Sequence, residues 1–194
     1  MQCSGLDLWI PEAHFTDPLN VDRAVAATLA AIDLAGDLAM LASGSVVTAQ
    51  PGRPGVVSVL LPRAVASDVL ATIGNAAQAR GVLVADHLWP ERDPPANGES
   101  NMVGIDPAAL LAAGQDPAAA VSRCGRRVAS ARLTDVARGL AGARTAPGSR
   151  DGTLDVLAYR VSLATSGYSG FAVVDLRGVT NQTQAARVAV EATG

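Results

Sequence analysis

The chain has 194 residues, 49% of them hydrophobic, and a formal net charge of −3, which is enough apolar material for one ordinary domain with a buried core. Its 15 cationic residues are all arginines, scattered rather than gathered in a stripe, which argues against a phosphate-neutralising nucleic-acid face and excludes lysine Schiff bases and P-loop phosphate binding. With only two histidines, His14 and His87, a three-imidazole metal site is also excluded.

Residues 5 to 10, GLDLWI, form a short apolar run that ends at Pro11, as a strand would. After the polar loop PEAHFTDPLN, the spacing of Val21, Val25, Leu29 and Ile32 predicts an amphipathic, Ala-rich helix to about Leu41. SVVTAQ and VVSVLLP then give two strand-like runs around the turn PGRPG. Residues 67 to 80 predict a helix stopped by Gly81, and VLVAD at 82 to 86 a buried strand. A proline-rich loop over 88 to 100 leads into the strand NMVGI, which ends on Asp106.

Two short helices follow, DPAALLAAG and DPAAAVSRCG, each with Asp suited to the N-cap, Pro to the first helical position and Gly past the end. RVASARL at 127 to 133 is the next strand. A loop containing TAPGSRDG precedes the helix LDVLAYRVSLATSG, then come the turn at Tyr168 to Gly170, the strand FAVVDL and a last helix over about 181 to 192. Charges interrupt every apolar run short of the ~18 residues a membrane span needs. The cysteines form no motif and no leader-like pattern opens the chain, so the sequence reads as cytoplasmic and reduced.

Strand and helix alternate in units of ~25 to 40 residues, the pattern of βαβ units on a parallel sheet. Right-handed crossovers then place the strand C-termini on one rim. The residues there are Glu12 and His14, Asp86 and His87, Asp106, Asp135, and Asp175 and Arg177. No GxGxxG follows a strand, which speaks against a dinucleotide fold. His87, next to Asp86, suits acid–base work or a hydrogen-bonded loop position. Glu12 and His14 suit contact with a sugar or with solvent, and Trp9 and Trp89 suit stacking on a sugar ring or core packing.

Several segments, GVLVADHLWP, VGIDPAALLAAGQDP, RVASARLTDVARG and PGSRDGTLDVLAYRVSLATSGYSGFAVVDL, together resemble the xylose isomerase-like TIM barrels, the group of sugar phosphate isomerases/epimerases that also holds the endonuclease IV-type enzymes. The resemblance runs from about residue 20 to about 190. It implies a (β/α) TIM barrel with parallel strands and outer helices, here a single domain over 1–194 with about six βα units where the family has eight. Aligned this way the chain lacks the first two units. It is either a fragment or a short barrel whose open edges are covered by a partner such as a second copy.

The resemblance further implies a divalent metal, Mn, Mg or Zn, on carboxylate and imidazole ligands at the rim, polarising a sugar carbonyl. Residue by residue, the Glu after the fifth strand falls on Asp86 or His87. Asp106 matches the Asp of a D-x-x-H turn, but its His partner is Ala109. The seventh-strand His is Arg132, the Asp after it is kept as Asp135, and the final Glu is Asp175. A guanidinium stays protonated and repels a cation at close range, so the sequence reading sets Arg132 against Asp106, Asp135 or Asp175, or against an anionic ligand.

The expected activity is isomerisation or epimerisation of a sugar or sugar phosphate by proton transfer, with His87, Asp106 and Asp175 as catalytic groups. Glu12, His14, Trp89, Arg132, Asp135 and Arg177 are the expected substrate contacts, and Asp106 and Asp175 the degenerate metal ligands. The alternative is a barrel that binds a sugar or anion without a metal and without catalysis. Neither nucleic acid nor a membrane is an expected partner.

Overall fold

A computed structural model describes residues 4–43, 54–88, 101–140 and 142–193. The fold is mixed α/β, and among the described residues the strands pair in parallel outside one short hairpin. The chain divides into two compact units, Met1–Gly104 and Ile105–Gly194.

In the first unit the strands β1 (Leu6–Asp7), β2 (Gly55–Val59), β3 (Val82–Asp86) and β4 (Asn101–Ile105, whose last residue opens the second unit) lie in that order. β2 and β3 pair along their full length, from Gly55 with Val82 to Val59 with Asp86. Consecutive residues are buried, Val57, Ser58 and Val59 on β2 and Val84, Ala85 and Asp86 on β3, as expected of strands covered on both faces. The run GLDLWI yields only a two-residue strand, and Trp9 is largely exposed. The expected strand at 45–50 lies outside the described residues.

Helix α1 (Val21–Ser43) buries Ala24, Thr28, Ile32 and Ala35, a stripe at helical spacing. It packs against β2 so closely that a Cβ on Gly55 would overlap the carbonyl of Ala35. By length and composition Val21–Ala42 is apolar enough to cross a membrane. The charges expected to interrupt it are too few to break the run. Helix α2 (Ser67–Arg80) buries Ile73 and Ala77 and ends at Gly81, whose φ of 62° is a left-handed cap. Arg80 crosses to α1, donating to the carbonyl of Asp33 at 2.9 Å and pairing with Asp33 and Asp37.

The second unit holds α3 (Pro107–Ala112), α4 (Pro117–Cys124), β5 (Val128–Leu133), β6 (Asp135–Val136), β7 (Arg144–Thr145), α5 (Val156–Thr165), β8 (Ala172–Val174) and α6 (Gln182–Thr193). Its core is the face of α4 (Ala120, Val121, Cys124) against that of α5 (Val156, Tyr159, Leu163). β5 and β8 pair in parallel, Arg132 opposite Val173 and Leu133 opposite Val174. β6 and β7 form a small antiparallel hairpin, Asp135 opposite Thr145 and Val136 opposite Arg144. The predicted strand FAVVDL contracts to three residues. It is exposed throughout, unlike a parallel strand with both faces covered.

Candidate anion-binding site

The second unit gathers charged side chains through its strand alternation. On β5, Ala131 and Leu133 are buried in the core. Arg132 between them therefore projects from the other face, its side chain 11% exposed. Asp106 precedes α3, where Oδ1 accepts from the N–H of Ala108 at 3.1 Å. The same oxygen receives the Thr134 hydroxyl at 2.6 Å, and Thr134 Oγ1 in turn accepts from that N–H at 2.9 Å. Asp106 is thus an N-cap, as its counterpart Asp116 is for α4. Unlike the exposed Asp116, it is 5% exposed and has a second oxygen to satisfy.

That second oxygen, Oδ2, faces two guanidinium groups, Arg132 Nη1 at 3.3 Å and Arg144 Nη2 at 3.4 Å. Arg144 reaches across from β7, and its Nη1 lies 3.4 Å from Asp175 Oδ2. Asp175 follows β8 and is clasped by Arg177, Nε to Oδ1 at 2.7 Å and Nη2 to Oδ2 at 2.5 Å. Arg177 is only two residues on, so a fork–fork pair forms within one turn of chain. The result is an alternating row, Arg132, Asp106, Arg144, Asp175, Arg177. Three guanidinium groups meet two carboxylates among the described residues.

Burial pulls the Asp175 carboxyl upward. The hydrogen bonds from Arg177 and the charges of Arg177 and Arg144 outweigh it and hold the carboxyl down at about 2. Tyr159, fully buried on α5, donates its hydroxyl to the carbonyl of Arg132 at 3.1 Å and so fixes the strand that carries the arginine. Burial, then Tyr168 and Asp106, push that hydroxyl's pKa well up, so it stays a donor.

Of the expected site residues, Asp106, Arg132, Asp175 and Arg177 come together, and Arg132 pairs with Asp106. Asp135 turns elsewhere, with Oδ1 accepting from the N–H groups of Val136, Thr153 and Leu154 at 2.7, 3.0 and 2.9 Å. His87 belongs to the first unit. Its ring is buried, Nε2 lies 3.2 Å from Ser58 Oγ, and it packs so tightly on Gly104 that a Cβ there would overlap it. Beside it, Asp86 Oδ1 accepts from the N–H groups of Leu61 and Leu88. Glu12 is exposed on a 3-10 turn with His14. Trp89 lies outside the described residues. The residue that sequence reasoning missed is Arg144, because nothing in GARTAPG marks a strand.

The donor set does not fit a divalent metal. Both oxygens of Asp106 and of Asp175 are already met by hydrogen-bond donors or guanidinium groups, Ala109 is exposed and offers no ligand, and any cation here would sit against Arg132 and Arg144. Among the described residues no group of three or more His, Cys, Asp and Glu converges as a metal site. Compared with protein-family models, with curated proteins and with solved structures, the chain matches none.

Proposed function

We propose that this chain is a partial (β/α) barrel of the xylose isomerase-like type whose charged rim binds the anionic group of a sugar derivative, with arginines where the family pattern has a metal. The observation that carries this reading is Arg144. Its guanidinium lies between Asp106 and Asp175, yet buried Nη1 makes no hydrogen bond among the described residues. A buried cationic donor held by an ion pair at 3.4 Å and by no hydrogen bond suits a phosphate or carboxylate oxygen.

The proton-transfer chemistry of the sugar isomerases has weaker support. Asp175 is held ionised down to about pH 2 and cannot serve as a general acid near neutrality. Asp106 is engaged through both oxygens. The reading is therefore of an anion-binding protein related in fold to sugar phosphate isomerases rather than of a metal-dependent isomerase.

The test is to incubate the protein with phosphorylated aldoses and ketoses in D2O and follow the sugar protons by NMR. Line broadening or shifts without deuterium incorporation, lost in Arg144→Met, are the expected result. Deuterium uptake next to the carbonyl would restore the catalytic reading, and no perturbation of any sugar phosphate would overturn sugar-anion binding.

A further inference from the structure

We infer that Asp135 is the positioning residue for Arg144, acting through the loop it holds and through the β6–β7 hairpin; the inference rests on the proposed anion site. Asp135 is 1% exposed, and one of its oxygens accepts from three backbone N–H groups, two of them across the loop at Thr153 and Leu154. A carboxylate so buried is costly unless its surroundings are fixed to satisfy it. The other oxygen, Oδ2, makes no hydrogen bond among the described residues and lies against Gly152, where a Cβ would overlap it. The loop is tied back a second time by Arg138, whose N–H donates to the carbonyl of Asp151 at 2.8 Å and whose Nη2 donates to that of Gly152 at 3.1 Å. Val136 accepts from Thr153 N–H, and Thr145 Oγ1 meets Ser149 Oγ at 3.1 Å.

Arg144 sits inside this frame. β7 has two residues, and its register on β6 sets Thr145 opposite Asp135 and Arg144 opposite Val136. A two-residue hairpin is not stable by itself. The direction in which the Arg144 guanidinium leaves the backbone is therefore set by what braces the hairpin, and the Asp135 carboxylate is the buried group at that brace. Among the described residues Asp135 makes no hydrogen bond or ion pair with the five charged groups of the row, so its effect on an anion travels through Arg144.

The experiment uses the full chain with inorganic phosphate as the probe, well below the melting temperature, with the Arg144 Nε–H resonance assigned by its loss in Arg144→Met. Asp135→Ala removes the brace and Gly152→Ala displaces the carboxylate. Both are expected to shift that resonance and to weaken phosphate binding about tenfold, the scale on which a loosened supporting shell acts. Asp135→Asn keeps an oxygen that accepts from the three N–H groups and so keeps the brace, and it should retain the wild-type resonance and affinity. Folded Asp135→Ala with an unmoved Arg144 resonance and wild-type phosphate affinity overturns the inference. If wild-type protein binds no phosphate, the anion site fails, and the Arg144 resonance in the same variants still decides whether Asp135 positions it.

Discussion

An aspartate stands at a strand end in each unit, and different donors meet it. In the first unit Asp86 Oδ1 is met by the backbone N–H groups of Leu61 and Leu88. In the second, Asp106 and Asp175 are met by arginine side chains that outnumber them. Backbone donors satisfy a carboxylate with partial charges and leave no mobile surplus. Guanidinium groups satisfy it with full charges and a fixed fork of donors. On the reading proposed above, the second arrangement is the one that binds an anion.

The largest effect that separates the two is expected from Asp106→Ala. It strands Arg132 and Arg144 beside one another and uncaps α3, and breaking a buried pair costs about 3–5 kcal/mol. Hydrogen exchange of the α4 and α5 peptides in rising urea should show the loss, with Asp116→Ala, an exposed cap, costing about 1 kcal/mol. Equal losses for both would remove the special standing of Asp106. In the first unit, Ile73→Ala should cost about 3 kcal/mol by leaving a cavity. Because it removes no charge, that loss should be the same in low and high salt, which the same measurement over α2 and β3 checks.

A smaller effect follows from Asp175. Its carboxyl is held down to about 2 in the folded chain, against 3.8 for a free aspartate side chain. The stabilisation is therefore fully present above about pH 4 and is lost as pH falls toward 2, amounting to about 2 kcal/mol. Asp175→Asn should flatten the acid limb of the stability curve over that window. An unchanged limb would mean that Arg177 does not hold the carboxylate down.

Much of this contrast is legible in the sequence and part is not. The DPAA device announces both caps. Arg132 inside an apolar strand announces a charge pair, with Asp106, Asp135 and Asp175 all eligible, since a buried guanidinium requires a carboxylate. The βα order is legible because strands such as VLVAD are long apolar runs bounded by turn residues. The hairpin is not, because two-residue strands carry no alternation to read. Arg144 was missed with it, and so was the diversion of Asp135 to the loop backbone, which depends on where Thr153 and Leu154 return in space. The exposure of β8 is also invisible in FAVVDL, whose apolar residues predict burial.

The most direct test of the account is a calorimetric titration of the full chain with inorganic phosphate and, separately, with Mn²⁺, in wild type and in Arg132→Met and Arg144→Met. Phosphate binding in wild type that weakens in both variants, with no Mn²⁺ binding that depends on Asp106 or Asp175, is the predicted result. Stoichiometric Mn²⁺ binding abolished by Asp106→Ala, with no response to phosphate, would contradict it.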